Sequence, residues 1–445
     1  MEPELARRLF AEGAVLVLLD VPQRTEFGID YNSWSVGPKF KGVKMIPPGL
    51  HFVYYCAVSK QGDAAPRTGF FHFFKRQEVL VMKWDHKTED LTDEGISTEM
   101  VERIRAGLKD LDQGLGPYPY DTLKKWVSLS NHISQDLVTR IQPLSGKVTS
   151  VSQIVQETSA VGSGEGEREG GREREVTGER EGGGEREESG GGEREVTGEM
   201  EGGGEKEEGE REGRGYGGGR FAGVGDFEPS VDSTSQKRRT DLPLFKSKPE
   251  TALRFSEVPR QRHPVGASPS EISHHCMDLS YTLQSLMTSN HTHCEIQLFF
   301  TNTLPVCCSV EDRDLLGELQ LAFLCFFLAH VYDAFEHWKE LVRLLCMSES
   351  ALSDQTELFT NFITVLHFQL KEIPDDFFVD IVSRSNFLTT TLQVFFACLE
   401  QGSSLDSRLV KKGLQFRDNL TKQYNWDFSS EPDEYAPTIV DTDCS

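Results

Sequence analysis

The stretch GIDYNSWSVGPKFKGVKMIPPG, residues 28–49, gathers Asp30, Tyr31, Asn32, Ser33, Trp34 and three lysines between turn-forming residues. These side chains suit nucleophilic chemistry if Ser33 attacks, Asp30 serves as base and a histidine activates the serine. No histidine adjoins Ser33 in sequence, so only folding can bring His51 or His72 to it. The other reading is structural. Asp30, Asn32 and Tyr31 then hold loops, and Tyr31, Trp34, Lys39, Lys41 and Lys44 form a contact surface or a protected strand edge. Because activation needs an adjacent base, the residues favour structure and binding over catalysis.

A second set with chemical potential is HTHC, which holds His291, His293 and Cys294, with Cys307 and Cys308 downstream. Zinc accepts such nitrogen and sulfur ligands, but adjacent Cys307 and Cys308 do not easily both reach one tetrahedral centre, and a C-x-x-C knuckle is missing. His274 and His275 fall in a predicted helix, where neighbours point about 100° apart, so they are not a chelating pair. The P-loop, G-x-S-x-G, H-E-x-x-H and kinase patterns are absent. No metal, cofactor or small-molecule substrate is expected.

The elements that must position these residues differ along the chain. Residues 1–95 read mostly as short strands. AVLVLLDV, GVKMI, LHFVYYCAV, TGFFHFFK and QEVLVMKWD are separated by turn signals, as in an antiparallel sandwich or barrel. Pro47-Pro48-Gly49 reads as the turn of a hairpin between GVKMI and LHFVYYCAV. Helices are expected near 98–112 and 120–140. The block EREVTGEREGGGEREESGGG at 173–192 recurs at 193–212 as EREVTGEMEGGGEKEEGERE. It has no apolar face to stack and much glycine, so it reads as a disordered linker. From 241 to 430 the pattern is helical. Ser268, Pro269 and Glu271 spell a capping box, and DRDLLGELQLAFLCFFLAHVYDAFEHWKELVRLLCMS spans two packed helices. Further helices are expected near 351–371, 374–384, 386–401 and 404–424. The tail carries one β-prone island, Pro437-Thr438-Ile439-Val440, able to add a strand to another sheet edge.

The fold class is therefore α+β. An N-terminal antiparallel β-sandwich-like domain with two helices (1–155) precedes a Glu/Gly linker (156–240), an α-helical domain (241–430) and a flexible tail (431–445). The chain has 445 residues and a net charge of −24. Residues 165–214 hold 19 acidic and 9 basic residues, a charge of −10, which leaves −14 spread over the other 395. Such a balance opposes direct, non-specific nucleic-acid binding, which needs a basic surface. A local patch at Lys237-Arg238-Arg239 is the exception. The longest apolar run, LAFLCFFLAHVY, is about half of a membrane span. Nine cysteines without a C-x-x-C pair read as reduced thiols of a cytosolic or nuclear protein.

FGIDYNSWSVGPKFKGVKMIPPG, LGPYPYDTLKKW, MDLSYTL, LLGELQLAF, YDAFEHWK and IPDDFFVDIVSRSNFLTTTLQVFF follow one another in this chain. Together they resemble the Aar-two splicing-factor family, over roughly 1–140 and 250–440. The resemblance implies a β-sandwich-like part followed by a helical part similar to a VHS domain, in a protein that is not an enzyme. It implies an assembly factor of the U-five small nuclear ribonucleoprotein (snRNP), present in cytoplasm and nucleus. Its partner would be the large spliceosomal core protein, held through RNase-H-like and Jab/MPN-like domains while helicase docking is delayed. The implied partner-binding strand matches Ala436, Pro437, Thr438, Ile439, Val440 and Asp441. Two departures stand out: the Glu/Gly repeat, and an apparent insert near 291–310. Ser256 in RFSEV, beside an acid and near an arginine, is a candidate phosphorylation site for release. Two other readings compete: a hydrolase or metalloenzyme in which Asp30, Ser33 and a histidine converge, and a helical adaptor unrelated to splicing.

Overall fold

The computed structural model describes residues 3–59, 61–150, 153–154, 245–246, 250–288, 312–373, 387–402 and 404–428. The repeat, the helix expected at 374–384, the 291–310 stretch and the 431–445 tail lie outside them.

Strand β1, Ala14–Leu19, shows why the N-terminal sequence reads as it does. Ala14, Leu16 and Leu18 face one apolar cluster, while Val15 and Val17 face another. Both faces are covered, so the strand is a continuous apolar run rather than an alternating one. It lies in a sheet of order β8-β7-β1-β4-β9, with β4 at Gly42–Ile46, β7 at Val79–Asp85, β8 at Asp90–Thr92 and β9 at Leu115–Pro117. The second sheet has the order β10-β6-β5-β2-β3. Its strands are β2 Glu26–Ile29, β3 Asn32–Ser35, β5 Gly49–Cys56, β6 Thr68–Phe74 and β10 Val148–Thr149. The two sheets pack through Leu16, Ile46, Phe27, Val53, Phe70 and Trp84. Helices α2, Thr98–Ala106, and α3, Leu108–Leu111, cover the outer face of the first sheet. An N-terminal helix, α1 at Pro3–Glu12, adjoins β4.

Two connections differ from the expectation. Pro47-Pro48-Gly49 does not turn a hairpin: β4 belongs to the first sheet and β5 to the second. Two prolines remove two consecutive N–H donors, so the segment cannot continue a ladder, and it carries the chain between layers. The link at Lys75–Gln77 likewise crosses from β6 to β7 in the other sheet. The first sheet is therefore mixed, with β1 parallel to β7 and β4 parallel to β9. The hairpin in this region is β2–β3, which turns at Asp30-Tyr31.

The helix expected at 120–140 is two helices, α4 Leu123–Ser130 and α5 Gln135–Ile141, the second capped by Ser134. They lie against the other face of the second sheet and share a cluster with the C-terminal helices. Those are α6 Pro269–Met277, α7 at 280–288, α8 Asp312–Ala329, α9 Tyr332–Cys346, α10 Ala351–Asp354, α11 Thr356–Glu372, α12 Phe387–Gln401 and α13 Ser407–Tyr424. The capping box at Ser268 and Glu271 is formed as read. Helix α8 is apolar almost all round because it packs against α4, α5, α9, α11 and β10. It ends at His330, whose φ of 57° turns the chain into α9. The outer face of the second sheet and the helices thus share one apolar core, to which α8 contributes heavily.

Candidate protein-interaction surface

The residues that could do chemistry are buried and spoken for. Asp30 sits at the hairpin tip with φ 53°, in the left-handed region that Asp tolerates better than most residues. Its backbone N–H donates to the Phe52 carbonyl (2.8 Å) and its Oδ1 accepts from Phe52 N–H (2.9 Å). Oδ2 meets His51 Nδ1 at 2.7 Å and accepts from the Tyr118 hydroxyl at 2.6 Å. His51 Nε2 faces the Pro47 carbonyl at 2.8 Å. Both imidazole nitrogens are therefore engaged with oxygen acceptors, and Asp30 and His51 are 0% and 2% exposed. Burial, and then the charge of Asp30, hold the Tyr118 phenol well above its usual ionisation range. No ring nitrogen remains to activate a nucleophile.

Ser33 is not brought to this pair. It is exposed on β3, opposite Gly28, and meets Tyr54 instead. His72 bonds Glu78 through Nε2 at 2.8 Å. Asp30, Ser33 and a histidine do not converge, so the arrangement that the hydrolase reading needs is absent from the described residues. The network has a structural role. It ties the hairpin to LGPYPYDTL, where Tyr120 donates to the Met45 carbonyl and Thr122 to Asn32 Oδ1. Trp126 Nε1 donates to the Leu50 carbonyl at 2.6 Å. Among the described residues no His, Cys, Asp or Glu cluster is arranged to hold a metal ion. The HTHC stretch lies outside them, as do Ala436 to Asp441.

The expected contact residues are scattered. Trp34 stands on edge strand β3, 41% exposed. Lys39 and Lys41 are exposed in the approach to β4 and belong to no strand. Lys44 lies within β4, an inner strand, and pairs with Asp112 at 2.6 Å. Three lysines along one edge is therefore not what forms. Tyr31 turns inward, 6.1 Å from the Phe327 ring. Ser256 donates through N–H and Oγ to the two oxygens of Glu318, at 2.7 and 2.8 Å, and His337 meets the same carboxylate at 2.9 Å.

A surface that the sequence did not disclose lies between α4 and α11. Lys124, Lys125, Ser128 and Leu129 face Phe368, Lys371 and Glu372 across a cleft of about 150 Å³. Lys125 pairs with Glu372 at 3.2 Å and lies 5.8 Å from the Tyr31 ring centre. Lys124 and Lys371 make no ion pair among the described residues. Burial of the Tyr31 hydroxyl, and then the charge of Glu372, push its ionisation up. A neighbouring groove of about 170 Å³ includes His367, Phe368, Lys412 and Phe416. Both are smaller than the usual small-molecule pocket. Lys124-Lys125 was visible in LKKW, but no local pattern announces Lys371, 246 positions on.

Comparison with known proteins fits this architecture. A model of the AAR2 N-terminal domain matches residues 12–143, and one of the AAR2 C-terminal repeat region matches 255–429. The chain belongs to the AAR2 family. It is 40% identical to the Protein AAR2 homolog of Mus musculus, over 99% of this chain and 97% of the relative. The figures for Homo sapiens are the same, and for Caenorhabditis elegans the identity is 34% over 97% and 99%. AAR2 membership makes the chain a splicing-related factor. The relatives' names carry no catalytic activity.

Proposed function

We propose that this chain is a non-enzymatic assembly chaperone of the U-five snRNP, and hence of the tri-snRNP. It would bind the RNase-H-like and Jab/MPN-like domains of the large spliceosomal core protein and delay helicase docking. The observation that carries this reading is the near full-length likeness to AAR2 homologues, through both the β-rich and the helical regions. Two structural facts support it. The Asp–His pair has no free nitrogen. The fully buried aromatics, among them Trp126, Trp338 and Phe323, lie in shared apolar clusters rather than around a cavity. A factor of this kind works by competition: while it is bound, a rival ligand is excluded. Cytoplasm and nucleus are the compartments the role requires. In this reading no nucleic acid, membrane or small molecule takes part.

Residues 436–441 supply the partner-binding strand in this reading, by adding to a sheet of the core protein. Ser256 supplies release. Its hydroxyl rests on Glu318, 1% exposed, so a phosphate there would set two further negative charges on a buried carboxylate and expel the segment. The test is a pull-down of full-length and tail-deleted protein against the recombinant C-terminal domains of the core protein. Retention by the full chain is expected, weakened by tail deletion. Failure of both proteins to bind overturns the function, and equal binding overturns only the role of the tail.

A further inference from the structure

The α4–α11 cleft has the chemistry of a receptor for an acidic, aromatic peptide. Two ammonium groups, Lys124 and Lys371, stand at its rim without ion-pair partners among the described residues. Leu129 and Phe368 supply an apolar wall. Glu372 is already matched by Lys125, so the rim keeps a net positive charge in a chain whose total is −24.

Such a peptide follows close by in the same chain. Helix α13 ends at Tyr424, whose hydroxyl donates to the Leu370 carbonyl at 2.6 Å, one residue from Lys371. Trp426 then stacks on Tyr424, and Phe428 packs on Trp426 and Phe396. The chain is thus fastened to the C-terminal end of α11 at Tyr424 and to α12 at Phe428. The next residues read Ser-Ser-Glu-Pro-Asp-Glu-Tyr, which places Glu431, Asp433, Glu434 and Tyr435 three to seven positions further on. At about 3.3–3.6 Å per residue they reach roughly 10–25 Å. From 429 to 445 the chain carries acids and no base.

We infer that residues 431–435 dock back onto the Lys124–Lys371 cleft of their own chain. The tether decides between occupants. A short link gives an effective concentration in the mM range, so a weak electrostatic contact in cis outcompetes the same contact in trans. Docking also fixes the point from which residues 436–445 emerge. None of this depends on what those residues bind.

Backbone order parameters of the full-length, isotope-labelled protein test it. Residues 431, 433, 434 and 435 should approach the rigid limit, about 0.8, while an undocked tail stays below about 0.6 throughout. Lys124→Glu with Lys371→Glu should bring the four residues down to the undocked value, the rest of the spectrum reporting that the fold is kept. Glu431→Lys, Asp433→Lys and Glu434→Lys added to that double variant should restore them. In 1 M salt, where the screening length is about 3 Å, order should fall. Low order parameters in the wild-type chain overturn the inference. So does order that survives charge reversal and salt. Order that disappears on tenfold dilution overturns it too, because the occupant is then a second copy.

Discussion

Asp30 resembles a catalytic acid in sequence and acts as a structural anchor in the fold. Its carboxylate meets three groups from β5 and from the segment after β9: the Phe52 N–H, His51 and the Tyr118 hydroxyl. Asp30→Ala should strand all three in a buried site and cost about 3–5 kcal/mol. Urea unfolding of the two proteins measures this. Unchanged stability would show that the network does not hold the hairpin. Glu318 is the second buried carboxylate with a specific task. Burial pushes its pKa up, but hydrogen bonds and charge from His337, with two donors from Ser256, outweigh that and leave it below the usual 4.5. A carboxylate depressed in the folded state contributes stability above its unfolded pKa, near 4.5, and loses it as pH falls through the lower folded value. The stability gap between wild type and Glu318→Gln should therefore be full near pH 6 and shrink steadily below about 4.5. Unfolding measured from pH 3 to 6 checks this, and a pH-independent gap would contradict it.

At the scale of elements, the positions that matter are close approaches. Gly317, in LLGEL of α8, leaves room for the loop between α4 and α5; a Cβ there would lie 2.5 Å from the His132 carbonyl oxygen. Gly317→Ala should force the helix off that loop and cost roughly 1–3 kcal/mol, read as a lowered urea midpoint. Gly28 is similar, with the Tyr54 ring lying where its Cβ would be. Much of this layer was legible. β1, β5, β6, β7, the capping box of α6 and the α8–α9 pair follow from apolar runs and cap residues. The β2–β3 hairpin was not, because its turn is Asp-Tyr rather than a glycine pair, and NSWS has no alternation to mark an edge strand. Pro47-Pro48-Gly49 misled because turn chemistry shows that a chain changes direction, not which sheet receives it. The Lys124–Lys371 cleft was invisible for a related reason: its two halves meet only after α4 and α11 pack.

At the scale of the whole molecule, the β-rich and helical regions are one unit, joined by more than apolar contact. Arg67, at the start of the β5–β6 side of the second sheet, donates to the Leu328 carbonyl at 2.7 Å and so satisfies the C-terminal end of α8. Gln320 in α8 accepts from His132 N–H and donates to Ser128 and Asn131. The long Glu/Gly segment is not what connects them. The chain departs after β11, Gln153–Ile154, and returns at β12, Phe245–Lys246, which pair as antiparallel neighbours. Paired strands are about 5 Å apart, so a short loop spans the gap. Replacing residues 156–242 with a few Gly and Ser residues should therefore leave the fold intact. Loop closure costs about 0.6 kcal/mol for each doubling of length. Shortening by about four doublings should raise stability by roughly 2 kcal/mol at most. A higher unfolding midpoint with an unchanged denaturant slope is the expected result. A lower midpoint would mean that residues 156–242 make contacts on which the shared core depends, and the repeat would then be more than a spacer.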